Sequence, residues 1–281
     1  MDIKVVDAHT HVQMIDPAHQ GAVLQRARDA GIGIINGGAD EISSKDAVVL
    51  AHAHDAVWAT VGYHPHEALK NPDFGIIQKL AKDEKVVGIG ECGLEYFKLD
   101  MQKEKEIKQK QKELFELHIQ LAHKVQKPLV IHCRDAFADT IVILQKHKDL
   151  LLSRVGLPAR ALASAGILHF FTGTLDDAKQ LLELGFSFTF GGLITFNRSF
   201  DEIIRYIPAE RILIETDAPW VTPLSYKKTS FLKDEDGKPI NEPVYVIEVL
   251  EWLVKIKGIE RSEMEKILLE NTRRIFNLGS F

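Results

Sequence analysis

Short apolar runs alternate along this chain with longer segments of helical periodicity. Eight runs read as strands: Ile3–Asp7, Ile32–Asn36, Val57–Gly62, Val86–Gly90, Pro128–His132, Gly166–Phe170, Phe186–Phe190 and Arg211–Thr216. They are short and rich in β-branched or aromatic residues, and most stop near Gly, Pro, Asp or His. Between them the apolar spacing predicts helices over Gln20–Ala30, Ser43–His54, Phe74–Lys82, Glu104–Val125, Asp135–Lys146, Leu175–Leu184 and Ser199–Tyr206. Two more follow the eighth strand, at Val244–Lys257 and Ser262–Phe276.

Eight strands, each followed by a helix, predict a closed parallel (β/α)8 TIM barrel of the α/β class. A doubly wound open sheet would carry a glycine-rich phosphate loop after its first strand. Here that position holds Asp7-Ala8-His9-Thr10-His11. The whole chain, residues 1–281, is expected to form one domain. Lys148–Ser164 and Ser225–Ile240 read as loop insertions rather than a second domain.

The polar residues that stand out sit where the strands stop. His9 and His11 close the first, His64 and His66 follow the third, and Glu91 closes the fourth. His132 closes the fifth, His169 the sixth and Asp217 the eighth. In a barrel of this kind the C-terminal strand ends form one mouth, so these residues converge. Period-two alternation sets Asp7, His9 and His11 on one face, and Glu215 with Asp217 on another shared face. If Glu91 and His132 point inward, Cys92 and Cys133 point outward.

Four imidazoles and two carboxylates suit Zn²⁺, Mn²⁺, Fe²⁺ or Ni²⁺ better than Mg²⁺ alone. Six ligands exceed the needs of one tetrahedral ion, and a bridging Glu91 between two divalent metal ions accounts for the number. A lone histidine or a carboxylate before a turn is ordinarily structural or solvated. The placement of all six at the same end of five different strands is what favours a metal centre. The same test rejects His52 and His54, because i and i+2 on a helix face different ways. His118 falls on an apolar helical stripe and reads as a core residue.

Composition narrows the classes. Net charge is −5, hydrophobic residues make up 45% and charged residues 27%. That is an ordinary globular chain with no global attraction for nucleic acid or anionic lipid. The two cysteines have neither zinc-ribbon nor disulfide spacing. No apolar run approaches the ~18 residues of a membrane span, and Met1–Asp7 lacks the pattern of a signal peptide. A cytoplasmic location is expected, with no membrane association and no obligate protein partner.

At this point the chain resembles the TatD family of metal-dependent deoxyribonucleases, within the wider amidohydrolase-like barrels. The resemblance rests on Asp7–His11, Gly62-Tyr63-His64-Pro65-His66, Gly90–Tyr96, His132-Cys133-Arg134-Asp135-Ala136, His169–Gly173 and Glu215-Thr216-Asp217-Ala218-Pro219. Asn241-Glu242-Pro243 and Asn271–Phe276 extend it to nearly the whole chain. Cys92 stands where the family commonly has Thr, Glu95 where it has Asp, and Thr172 where it has Ser. The loop after Trp220 is longer than usual.

The resemblance implies that His9, His11 and Asp217 hold one metal, His132 and His169 the other, with Glu91 bridging. It implies hydrolysis of DNA, as a 3′–5′ exonuclease on single strands, with DNA as a transient partner. Asp217 would orient the attacking water and accept its proton. His64, Arg134 and Trp220 are the expected substrate contacts. His64 lies at the mouth outside the complete ligand set. Arg134 offers a bidentate phosphate contact or a salt bridge with Asp135 or another acid. Trp220 offers stacking on a base, among the mouth aromatics Tyr63, Tyr96, Phe97 and Tyr226. The alternative activity is hydrolysis of amide, ester or lactone bonds in a small molecule by the same two-metal chemistry. A binding scaffold without catalysis is a third reading, which the intact ligand set opposes.

Overall fold

The computed structural model describes residues 2–152 and 165–279. Most of the expected insertion at 148–164 lies outside the described residues. Its start is the short helix Lys148–Leu152.

The strands are β1 (Val5–Thr10), β2 (Ile32–Gly37), β3 (Val57–Val61), β4 (Val86–Glu95), β5 (Leu129–Arg134), β6 (Gly166–Leu168), β7 (Phe186–Phe190) and β8 (Ile212–Ile214). They form one sheet in sequence order with every ladder parallel. The helices are α1 (Pro17–Asp29), α2 (Glu41–Ala53), α3 (Phe74–Leu80), α4 (Glu104–Val125), α5 (Phe137–Lys146), α6 (Lys148–Leu152), α7 (Leu175–Glu183), α8 (Asp201–Tyr206), α9 (Tyr226–Thr229), α10 (Val246–Lys257) and α11 (Arg261–Phe276). Short 3₁₀ turns follow β1, β3 and β7. This is the expected (β/α)8 barrel.

Local chemistry sets the helix ends. Asp16 accepts the Ala18 N–H and Pro17 occupies the first turn, so α1 starts earlier than the apolar pattern indicated. A reciprocal capping box between Asp40 and Ser43 starts α2. Gly258, in the left-handed region, stops α10.

The core has two layers. Val6, Ala8, Ile35, Val87, Val130, Ile167 and Leu213, one or two from each of six strands, form one cluster with Ile275, Phe276 and Leu278 from the end of the chain. The second joins the strands to the helices, with Phe115 and Ile119 of α4 and Leu250 and Leu253 of α10 among its members. Among the described residues, no helix is long and apolar enough to cross a membrane.

The seam between β1 and β8 is closed by a few bonds. Asp217 N–H donates to the His9 carbonyl at 3.0 Å, and His11 N–H to the Ala218 carbonyl at 2.7 Å. Asp7 completes the seam with its side chain. Its carboxylate accepts the Thr216 N–H at 2.9 Å and the Thr216 hydroxyl at 2.5 Å. Alternation had grouped Asp7 with His9 and His11. The register of β1 shifts between Asp7 and Thr10, and a register shift cancels the period-two argument.

Candidate metal centre

The six expected ligands meet at the C-terminal mouth. His9 lies within β1, His11 just beyond it, and His132 within β5. His169 follows β6 directly, and Asp217 lies in the turn after β8. Glu91 does not end its strand: β4 continues to Glu95, with a register shift between Ile89 and Cys92. At that shift the Glu91 N–H leaves the β5 ladder and donates to the Gly38 carbonyl at 2.9 Å. Gly90 lets β4 approach β5 this closely, since a Cβ there would lie 2.3 Å from the Val130 carbonyl oxygen. Gly37 leaves room for two rings, because its Cβ would meet His9 Cε1 at 2.9 Å and His11 Cε1 at 3.1 Å.

Glu91 divides its two oxygens between two donor groups. Oε1 lies 2.9 Å from His132 Nδ1 and 3.0 Å from His169 Nε2, and those nitrogens are 3.3 Å apart. Oε2 lies 3.5 Å from both His9 Nε2 and His11 Nε2, which are 3.0 Å apart. Asp217 Oδ1 faces the second group, 3.9 Å from His9 Nε2 and 3.7 Å from His11 Nε2.

Ligand atoms bonded at 2.0–2.2 Å in tetrahedral geometry stand ~3.3–3.6 Å apart, and the spacings here, 2.9 to 3.9 Å, bracket that range. The ring protons agree. His11 Nδ1 donates to the Gly37 carbonyl at 2.7 Å, leaving Nε2 as a bare lone pair aimed at His9. His132 Nε2 lies 3.1 Å from Glu95 Oε2 and donates to it, which leaves Nδ1 bare in the neutral ring. Bare nitrogens converging on a carboxylate away from water require a proton or a cation among them.

Two carboxylates complete the arrangement, and neither was singled out from the sequence. Glu95 also accepts the Phe97 N–H at 2.8 Å, so its carboxylate is held from two sides. Glu215 is fully buried with no hydrogen bond to either oxygen, and Oε1 lies 3.5 Å from His169 Nδ1. Carboxylates behind metal-binding histidines commonly fix the ring tautomer. A sequence signal existed, since each acid lies two or four residues from a ligand on its own strand or turn. Strand alternation pairs Glu215 only with Asp217.

Burial and mutual charge set the protonation of the metal-free cluster. Burial raises the Glu91 carboxyl, but the facing histidines, His169 first among them, outweigh it and hold Glu91 well below the usual carboxylate range. Burial lowers His169, yet Glu91 and Glu215 lift it well above the ordinary imidazole value. His11 is pushed down to about 3 by burial and by His9. Asp217 is pushed well up by burial, with Glu215 and Glu91 adding to the effect.

A cavity of about 680 Å³ opens above the cluster, lined by His64, His132, Arg134, Phe170, Asp217 and Trp220 among others. His64 Nε2 is 3.5 Å from Glu91 Oε1, inside the ligand cluster rather than merely at its rim. Arg134 is exposed and stacks on Phe97, with its guanidinium carbon 3.7 Å from the ring centre. Trp220 is half exposed and sets its ring edgewise to His11 at 5.1 Å. The other mouth aromatics are tied elsewhere: Tyr63 is buried with its hydroxyl on the Asp73 carbonyl, Tyr96 binds Asp139, and Tyr226 stacks on Tyr245. Cys133 turns outward to Thr140 of α5 at 3.3 Å, and Cys92 packs in the outer core. His118 is a satisfied core residue, bonded to the Leu114 carbonyl and the Tyr63 N–H.

The chain matches the model of the TatD related DNase family over residues 6–277. It belongs to the TatD family. This TatD-family chain is 33% identical over 277 residues to the uncharacterized metal-dependent hydrolase YabD of Bacillus subtilis, covering 97% of this chain and 98% of the relative. It is 30% identical over 263 residues to the 3′-5′ ssDNA/RNA exonuclease TatD of Erwinia tasmaniensis, covering 91% and 93%. The crystal structure of YjjV, a TatD homolog from Escherichia coli K12, superposes with a TM-score of 0.81 at 25% identity, covering 99% and 100%. The TatD-family chain is a metal-dependent hydrolase.

Proposed function

We propose that the chain hydrolyses phosphodiester bonds of DNA, acting 3′ to 5′ on single strands. The observation that carries this reading is the division of Glu91 between two imidazole groups, with Oε1 on His132 and His169 and Oε2 on His9 and His11. A phosphodiester needs charge neutralised on both its attacking and leaving oxygens, and two adjacent cation sites suit that need. The polarity and the strand preference draw on the exonuclease TatD of Erwinia tasmaniensis.

His9, His11 and Asp217 would hold one divalent ion and His132 and His169 the other, with Glu91 shared. Zn²⁺ or Mn²⁺ fits this nitrogen-rich set better than Mg²⁺ alone. Such ions supply an acidified water and neutralise charge developing on the phosphoryl oxygens. Asp217 would orient the attacking water and accept its proton. Its carboxyl, raised in the metal-free protein, is pulled down by neighbouring cations and so stays ionised for that task. Arg134, seated over the Phe97 ring, presents its N–H edge to a phosphate. Trp220, against His11, stacks on a terminal base.

The test uses purified protein with Mg²⁺, Mn²⁺, Co²⁺ or Zn²⁺ on end-labelled single-stranded DNA, beside a panel of esters, amides and lactones. Stepwise shortening from the 3′ end is expected. Carbonyl hydrolysis without phosphodiester cleavage under every metal would replace this reading with the small-molecule one.

A further inference from the structure

We propose that His64 is a hydrogen-bond donor of fixed tautomer to the reacting phosphoryl group, and not a metal ligand. The donor role rests on the phosphodiesterase reading; the exclusion from the metal does not. Distance alone argues the opposite. His64 Nε2 falls in one ligand cluster with Glu91 and His132, and its ring centre is 4.4 Å from that of His132.

The proton decides the matter. His64 Nδ1 accepts the backbone N–H of His66 at 3.2 Å. A backbone amide only donates, so Nδ1 carries no proton. The neutral ring then carries its proton on Nε2, and a nitrogen bearing a proton offers a cation no lone pair. Its neighbours have the reverse arrangement. His11 gives its Nδ1 proton to the Gly37 carbonyl, and His132 gives its Nε2 proton to Glu95. Each of those rings turns a bare nitrogen inward; His64 turns an N–H inward.

Local sequence builds this orientation. His64 caps the 3₁₀ turn Pro65–Lys70, with Pro65 in its first turn. The His64 backbone is pinned on both sides, its N–H on the Ala39 carbonyl and its carbonyl under the Glu67 N–H, both at 2.8 Å. The ring therefore points into the cavity because of the turn it caps, whatever occupies the cavity. A donor held there strengthens its bond as negative charge grows on a phosphoryl oxygen. No proton is transferred.

The test pairs His64→Ala and His64→Gln with two readouts. Zinc content is expected to stay at the wild-type stoichiometry in both. The kcat on single-stranded DNA is expected to fall on the order of 10²–10³-fold in His64→Ala, with KM little changed. His64→Gln, which keeps an N–H, should recover part of that loss. In ¹¹³Cd-loaded, ¹⁵N-histidine-labelled wild type, His9, His11, His132 and His169 should show metal–nitrogen coupling and His64 none. Coupling at His64, or loss of a metal equivalent in His64→Ala, overturns the assignment. So does an unchanged kcat in His64→Ala. Wild type that binds metal and cleaves no phosphodiester sinks the phosphodiesterase reading and the donor role with it, while the cadmium spectrum still decides whether His64 binds metal.

Discussion

Glu95 Oε2 stands 3.1 Å from His132 Nε2 and decides which nitrogen of that ring faces Glu91. Without this carboxylate the ring is free to place its proton on Nδ1, where it would block a ligand position. Glu95→Ala is expected to weaken zinc binding about 10- to 100-fold. Glu95→Gln keeps an acceptor and should lose less. A competitive zinc titration reads both, and equal affinity in all three proteins would show that His132 needs no partner.

Glu91 joins both donor groups, so its loss should affect both. Glu91→Ala is expected to lower metal content and to reduce hydrolysis at least ~100-fold. Hydrolysis at the wild-type rate in fully loaded Glu91→Ala would place the activity in another site or in a contaminant.

Metal binding should depend on pH with a definite sign. In the metal-free protein His169 is held above its ordinary value of 6.5 by Glu91 and Glu215, which outweigh burial. It therefore keeps its proton at pH values where a free imidazole has lost it. A cation must displace that proton, so affinity falls as the pH drops through this window and binding releases protons. Calorimetry just above pH 6.5, in two buffers of different ionisation enthalpy, should give different apparent heats. Equal heats would show that no proton leaves.

Removal of metal should destabilise the fold. Burial of Asp217 beside Glu91 and Glu215 without a cation is unfavourable, as its raised carboxyl records. A site held at about 100 times its Kd contributes ~2.7 kcal/mol. That corresponds to a loss of roughly 5–10 °C in Tm with chelator for a chain of this size. Thermal scans with and without chelator measure it.

Asp7 should matter to stability rather than to metal binding. Asp7→Ala leaves the buried Thr216 N–H and hydroxyl without their acceptor at the barrel seam. A cost of at least ~1–3 kcal/mol is expected. Urea unfolding of metal-loaded protein should show a lower midpoint at unchanged slope.

Trp220 should act on substrate binding. Trp220→Ala is expected to raise KM for single-stranded DNA by the equivalent of ~1–3 kcal/mol, with kcat less affected. An unchanged KM would assign the exposed ring to shielding His11 alone.

The barrel and the meeting of six side chains were legible in the amino-acid sequence, because both follow from period and position. Alternating apolar runs mark strands, and parallel strands joined by helices bring their C-terminal ends to one mouth. His9, His11, His132 and His169 needed no further information to be brought together. Regular alternation also supplied the outward turn of Cys133.

Tertiary structure decided what period cannot carry. A register shift resets the facing of every residue beyond it, which is why Asp7 leaves its histidine neighbours for Thr216 and why Glu91 lies inside β4. The partner of a buried ring nitrogen comes from whichever strand or turn packs beside it. Glu95 therefore sets the proton of His132, and Gly37 that of His11. The residue types were chosen along the chain, but the lone pairs were aimed by neighbours that only folding brings into contact.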